Sequence, residues 1–488
     1  MTCTTRGTSY LELTTTRIYR LLRPLRSHCV KFSECYAKFQ ARGSSPDWLP
    51  LEILLPPDRI GSRIFFDKDQ GAKLELSRTI YAVRDCFKHI VLNTKTGACA
   101  TTQPRVLNLT DICAIIVGQN VEANNEKSES IYDAMPHAYK RVTLLNHAID
   151  IILDTAPHHI TLLSAVLDVC LSHSLLHEAR TTLHALLCLA IRPSSSYHSA
   201  PPVTHPTHSS FLVDLCERWK SAGQLESSFF HVFLEVLHES WGPSLLGCKA
   251  VNKLARLMFR TDPPSFFQWL LCMLQREVQH LGSPRDHHAP FLDLANARID
   301  RPRSDWLHKW INFTLEGLSS QDSALWSLEL FTYLGYLVSL LLRSLPILED
   351  PPLSALHGTS ICLATFWLTE FSVVAPSPLV TEVLECVQSF DPRPTSYAPL
   401  IALIQKRENV ASSLDLDEFH EYLDRFARTL QSHGFLSLEA SLWGCVLRVI
   451  EDPEDIPAFA RFVDPDILKD YQQQIMNLRD EAEERCYG

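Results

Sequence analysis

The stretch Leu162–Leu187, LLSAVLDVCLSHSLLHEARTTLHALL, predicts two helices joined by a short break. Apolar residues recur three and four positions apart on both sides of Ser172–Ser174, which is the spacing of a buried helix face. Behind the break, Leu176 is followed by Ala179, and a small side chain there lets two antiparallel helices cross closely. The stretch therefore predicts one antiparallel helix pair.

Two later stretches, Phe211–Leu237 and Phe419–Leu447, have the same form of apolar face, polar break and second apolar face. In the first of these, the break is Ser221–Gly223, and Leu225 and the small residue Ser228 follow it. In the second, the break is Ser432–Gly434, and Leu436 and the small residue Ala440 follow it. The last spacing is one residue longer than the other two, so the repeat is irregular.

This helix–turn–helix pattern resembles tetratricopeptide-like and pentatricopeptide-like repeats, in degenerate form. The resemblance covers roughly a sixth of the chain and lacks both a strict period and the W-x-x-L-G-x-x-Y string. It implies an all-α fold, an irregular α-solenoid of antiparallel helix pairs. An irregular bundle of antiparallel hairpins would give the same local pattern, and the sequence leaves that alternative open.

The composition favours helix and a reducing compartment. Only 16 of 488 residues are glycine, and tight β-hairpins depend on glycine. The 15 cysteines occur singly and form no C-x-x-C motif, which is typical of buried free thiols. The longest apolar run, Leu330–Leu342, is shorter than a bilayer requires, so we expect no membrane span.

The pattern along the chain divides it into six segments. They are an N-terminal region with a basic helical head (1–118), a polar loop (119–135), a first helix-pair block (136–192), a flexible linker (193–210), a helical-repeat body (211–450) and an acidic tail with a cap helix (451–488). Within the first segment, which we expect to be mixed, Arg63–Phe66 and Arg105–Leu109 are candidate short strands. The last helix, at about Pro465–Arg485, is interpreted either as a polar cap or as a docking helix for a partner.

The motifs of common enzyme classes are absent from the sequence. It contains no phosphate-binding G-x-x-x-x-G-K-[ST] loop, no G-x-G-x-x-G, no G-x-S-x-G elbow and no H-E-x-x-H. The doublets His158-His159 and His287-His288 are interpreted as a helix start and a surface loop rather than as metal ligands. We therefore predict no catalytic residue, no cofactor, no metal, no small-molecule substrate and no enzymatic activity.

A basic amphipathic segment, TRIYRLLRPLRSHC at Thr16–Cys29, contains the candidate site. Its apolar residues share one helical face; Arg20 and Arg23 lie opposite that face, and Arg17 and Arg26 flank it. Three interpretations stay open: contact with an anionic partner, which includes nucleic acid; a mitochondrial presequence; or a solvated helix face. We expect Pro24, inside the segment, to kink a long helix.

These observations predict a non-enzymatic helical-repeat scaffold or adaptor subunit of a nuclear or cytosolic multiprotein complex, with protein partners. The alternative is an organellar, mitochondrial RNA-binding helical-repeat protein whose presequence is the basic head. The formal net charge of −11 disfavours that alternative, because RNA binding normally requires a basic stripe.

Overall fold

A computed structural model describes fourteen parts of the chain. They are residues 15–41, 51–59, 68–94, 137–155, 159–192, 200–239, 245–282, 303–320, 328–348, 355–371, 375, 377–388, 416–451 and 465–487. Helices make up 89% of the structure and no described residue is in a strand, so the predicted all-α class is confirmed. The two candidate strands of the N-terminal region, the polar loop 119–135 and the His287-His288 doublet lie outside the described residues.

The chain forms two compact units, Met1–Pro243 and Ser244–Gly488, so the boundary falls inside the predicted 211–450 body. The described helices of unit 1 are α1 (Thr15–Ala41), α2 (Lys68–Thr94), α3 (His137–Thr155), α4 (Ile160–Ser172), α5 (Leu176–Ile191), α6 (Phe211–Ser221) and α7 (Glu226–Glu239). Two short 3-10 turns, Pro202–Thr204 and Pro206–His208, precede α6.

Unit 2 contains nine further described helices. They are α8 (Lys249–Thr261), α9 (Pro263–Gly282), α10 (Arg303–Ser320), α11 (Leu328–Leu348), α12 (Ala355–Phe371), α13 (Ser377–Gln388), α14 (Leu416–Ser432), α15 (Leu436–Glu451) and α16 (Pro465–Tyr487). The apolar run Leu330–Leu342 belongs to α11, and among the described residues no helix is long and apolar enough to cross a membrane.

The helices pack in pairs, and their contacts follow chain order. In unit 1 the main contacts join α1 to α2 and α3, α2 to α4, α4 to α5, and α7 to α5 and α6. In unit 2 they join α8 to α9, α9 to α11, α11 to α12 and α13, α10 to α12, α12 to α14, α14 to α15, and α15 to α16. Each main contact between described helices thus joins neighbours or next-but-one neighbours in that order.

One turn geometry accounts for all three breaks that the sequence predicts. Each break has one residue with positive φ: Ser174 at 55°, Gly223 at 78° and Gly434 at 78°. The next amide donates to the carbonyl five residues earlier, with N–O distances of 2.9 Å for Leu175, 3.4 Å for Gln224 and 2.9 Å for Phe435. This is the Schellman helix cap, which ends a helix and satisfies its last carbonyls.

The small residues after the breaks do not all lie at helix crossings. Ala179 is fully buried, as close crossing requires. Ser228 is exposed; its hydroxyl accepts a hydrogen bond from Trp219 Nε1 at 2.9 Å and donates to the Leu225 carbonyl at 2.6 Å. The prediction of a close crossing at Ser228 is therefore wrong. This serine instead forms a hydrogen bond with the indole of Trp219 in the same hairpin. Ala440 is half-buried.

Polar contacts join the α4–α5 hairpin to the α6–α7 hairpin. Arg218 on α6 donates to Asp168 and, at 3.2 Å, to the Ser164 carbonyl, both on α4. Arg180 on α5 pairs with Glu235 on α7 at 2.7 Å. The first helices of the two hairpins, α4 and α6, therefore contact each other, and so do the second helices, α5 and α7. This is the arrangement of two stacked hairpins.

Part of the predicted linker 193–210 is packed rather than extended. In its described residues, 200–210, Val203 and His208 are buried, and the turn Pro202–Thr204 contacts α5. The residues 193–199 lie outside the described residues, so a flexible linker stays a prediction for that part.

The last helix packs as the polar cap interpretation expects. Tyr471, Ile475 and Ala482 of α16 are buried against unit 2, and α16 makes extensive contact with α15. Arg485 binds the buried carboxylate of Glu439 on α15 at 2.6 Å. Ile467 at the start of α16 is 56% exposed, so the docking interpretation stays a prediction for that end.

Candidate partner-binding surface

Helix α1, which carries the predicted arginines, is anchored in unit 1 by its apolar face. Five side chains spaced three or four positions apart are at most 5% exposed: Ile18, Leu22, Leu25, Cys29 and Phe32. They pack against α2 and α3. Pro24 is exposed and lies inside α1, which runs from Thr15 to Ala41, so it does not end the helix; the kink stays a prediction.

The opposite face of α1 is basic and open to solvent. Arg20, Arg23 and Arg26 are exposed, and none of them forms an ion pair with a carboxylate in the described part of the chain. Lys31 and Lys38 extend the exposed face, and Glu34 is the acidic residue within the helix. We call Arg20, Arg23, Arg26, Lys31 and Lys38 the basic face.

Arg17 differs from the other three predicted arginines. It is half-buried and already takes part in an interaction within the protein. The structure therefore brings Arg20, Arg23 and Arg26 together on one open surface and sets Arg17 apart at its edge. Since exposed guanidinium groups bind carboxylates and phosphates in a fork geometry, this surface suits an anionic partner.

The field of the basic face reaches the neighbouring helix. Burial lowers the pKa of His147 on α3, Asp150 raises it, and Arg26 lowers it further. The Arg26 charge is thus felt across the α1–α3 contact, and the imidazole beside it favours the neutral state. Binding of an anion near Arg26 would weaken that influence.

Of the His158-His159 doublet, which the sequence assigned to a helix start, only His159 is among the described residues, and it lies at the start of a helix. His159 is the N-cap of α4, where its Nδ1 accepts a hydrogen bond from the Thr161 amide at 3.1 Å. Burial lowers its pKa to about 4, and its ring lies edge-on to Phe32 and Tyr36 of α1. This histidine has a structural role that joins α4 to α1.

A second group of polar side chains was not singled out by the sequence. His184 and Cys188 on α5 lie beside Glu239 at the end of α7. The spacing of four between His184 and Cys188 is visible in the sequence, but the contribution of Glu239 depends on the packing of α5 against α7.

Comparison with known proteins identifies no relative of this chain. No family model matches it, and neither a curated protein nor a solved structure does.

Proposed function

We propose that this protein is a non-enzymatic helical-repeat scaffold or adaptor subunit of a nuclear or cytosolic multiprotein complex, and that the basic face of α1 binds an acidic protein surface. The observation that carries the proposal is a firmly packed helix that presents Arg20, Arg23 and Arg26 without internal carboxylate partners in the described chain.

The arrangement of the helices supports the scaffold part of the proposal. Main contacts that join only neighbouring or next-but-one described helices are typical of an irregular solenoid of the tetratricopeptide-like kind, whereas a closed bundle also joins its first helix to its last. Stacked hairpins leave extended surfaces, and protein binding is their common use.

Charge complementarity supports the choice of partner. Exposed charges at the edge of an interface, as we propose for the basic face, affect the rate and the specificity of association more than the affinity. Their effect falls as salt screens them. We expect the partner to be acidic and the interaction to weaken at raised ionic strength.

The test replaces Arg20, Arg23 and Arg26 together by Glu in the tagged full-length protein. The matched control replaces Arg59, Arg78 and Lys88, which are exposed elsewhere in unit 1, so that the charge change is the same. Proteins that co-purify with the parent after nuclease treatment should be lost from the α1 variant and retained by the control, while both variants keep the melting temperature of the parent.

Three results would count against the proposal. Equal loss in both variants would mean that overall charge, rather than the basic face, determines binding. Partners lost to nuclease alone would favour the RNA-binding alternative, as would a mature N-terminus that begins beyond α1 in a mitochondrial fraction.

A further inference from the structure

Three metal-ligating side chains of different chemistry meet at the α5–α7 contact. One ligand atom from each of His184, Cys188 and Glu239 lies within 4.8 Å of the other two. Cys188 Sγ is 3.7 Å from His184 Nδ1, and His184 Nε2 is 3.3 Å from a Glu239 carboxylate oxygen. We call these three residues the His–Cys–Glu cluster.

One ion binds only one nitrogen of the His184 ring, so these two distances do not belong to the same set of bonds. With one ligand atom taken from each residue, the three atoms lie within 4.8 Å of one another, and the side chains must move closer to surround a small tetrahedral ion. With bonds of about 2.0–2.3 Å, two ligands of tetrahedral zinc are roughly 3.5 Å apart. The spacing of four places His184 and Cys188 on one face of α5, and the packing of α7 supplies Glu239 from a second helix. Two ligands from one helix and one from another can close around an ion by rotation of their side chains.

The cluster is accessible and held by neighbouring contacts. The His184 side chain is 32% exposed and Glu239 is 52% exposed, whereas Cys188 is nearly buried beneath them. One turn earlier, Arg180 and Glu235 join the same two helices at 2.7 Å. An ion can therefore enter from solvent while the helix backbones stay in place.

Arg192 is the competing cation. It lies 3.5 Å from the Glu239 carboxylate and is 51% exposed. An exposed ion pair of this kind is worth about 0–1 kcal/mol, so the guanidinium can be displaced to solvent. A divalent ion bound to three ligands would outweigh it.

The ligand form of Cys188 is the thiolate. A bound transition metal would displace the proton of the Cys188 thiol and hold the thiolate.

We propose that His184, Cys188 and Glu239 form a binding site for a divalent transition metal, with zinc as the best match to the ligand set. One imidazole nitrogen, one thiolate and one carboxylate oxygen bind the ion, and water completes the tetrahedron. Binding releases the Cys188 thiol proton to solvent. The ion fixes α5 against α7 and so locks two stacked hairpins together. This inference does not depend on the proposed function.

The test is titration of the reduced, metal-free full-length protein with Co²⁺, which reports thiolate coordination through a charge-transfer band. The parent should show the band, and Zn²⁺ should displace it. Cys188→Ser should abolish the band, whereas Cys216→Ser, a buried cysteine of α6 with no such neighbours in the described chain, should retain it.

Two surface variants keep the test independent of folding. His184→Gln and Glu239→Gln change exposed or half-exposed side chains and should each weaken Co²⁺ binding at least tenfold. Arg192→Ala removes the competing cation and should bind at least as tightly as the parent. Absence of the band in the parent, or its persistence in Cys188→Ser, would overturn the proposal and leave a hydrogen-bonded cluster only.

Discussion

Two hairpins, α4–α5 in unit 1 and α14–α15 in unit 2, have the same Schellman turn but hold a buried glutamate in different ways. Glu439 is fully buried, and its Oε1 accepts hydrogen bonds from Arg485 at 2.6 Å and from Gln431 at 2.7 Å. Glu178 is also buried but has no ion-pair partner in the described chain; burial raises its pKa, which its own amide, His177 and Arg141 lower.

The difference between Glu439 and Glu178 shows that the effect of a buried carboxylate on stability depends on whether it has a partner of opposite charge. A buried carboxylate that is paired across helices joins its hairpin to the next element, which here is α16. One that is unpaired costs stability where it is ionised. We therefore expect the loss of Arg485, which leaves Glu439 buried without its counter-ion, to destabilise the end of unit 2. We expect ionised Glu178 to weaken the α4–α5 hairpin near neutral pH.

The largest expected effect comes from the crossing point of α4–α5. Ala179→Glu places a charge and extra volume where no space exists, and should lower the free energy of unfolding by about 4 kcal/mol. Ser228→Leu in the α6–α7 hairpin alters an exposed residue and loses both hydrogen bonds of the serine hydroxyl, which should cost about 1 kcal/mol. Urea denaturation measures both, and equal effects would show that Ala179 is not at a tight crossing.

The next effect tests the paired glutamate. Arg485→Ala leaves the Glu439 carboxylate buried without its counter-ion and should cost about 2 kcal/mol. Lys469→Ala, an exposed cation on the same helix, should cost less than about 0.5 kcal/mol. Adding Glu439→Gln to Arg485→Ala should restore part of the loss, because the uncompensated charge is then gone. No rescue in this double-mutant cycle would mean that the pair contributes little.

The stability of the α4–α5 hairpin should depend on pH, because Glu178 is buried without an ion-pair partner in the described chain. The folded-state pKa of Glu178 is raised above the usual 4.5, so its favourable contribution is present below that pH and is lost as the pH rises through the folded-state pKa. Glu178→Gln should therefore gain in melting temperature relative to the parent as the pH rises from 4.5 to neutrality. Glu217→Gln, an exposed change in the same unit, should show a constant difference. If the melting temperature of Glu178→Gln relative to the parent fell as the pH rose, the pKa of Glu178 would not be raised in the folded state.

The smallest effects lie in the shared turn. Gly434→Ala meets no atom within 4 Å, so its cost of about 1 kcal/mol comes from the positive φ alone. Ser174→Gly relieves the same strain in the α4–α5 hairpin and should gain about 0.5 kcal/mol. Thermal unfolding of the two variants gives the comparison. Changes of the same sign would mean that the two turns are not equivalent.

The sequence predicted the features that depend on local pattern. Apolar spacing around Ser172–Ser174 was enough for a helix pair, and the three breaks proved to be one type of cap. Ser228 was misassigned because a small residue three positions after a leucine does not reveal which face of the helix it occupies. Glu439 and Arg485 are 46 residues apart, and their contact depends on how α16 folds back.

The same reasoning applies to the candidate sites. Amphipathic spacing predicted the basic face of α1, because the apolar and the charged residues lie on one helix. It placed Arg20 and Arg23 opposite the apolar face and Arg17 and Arg26 at its flanks. That Arg17 is half-buried whereas Arg26 is exposed depends on the neighbours of the helix. His184 and Cys188 share a helix face in sequence, but Glu239 joins them only through the packing of α5 on α7.

The central structural claim is that contacts run along the order of the helices, so that damage at one end of unit 2 stays there. Native-state hydrogen exchange of Arg485→Ala tests it most directly. We predict that the opening free energy falls in α14, α15 and α16 by the full amount of the destabilisation, with α8 and α9 unchanged. An equal fall in α8 and α9 would show one cooperative bundle and contradict the stacked-pair account.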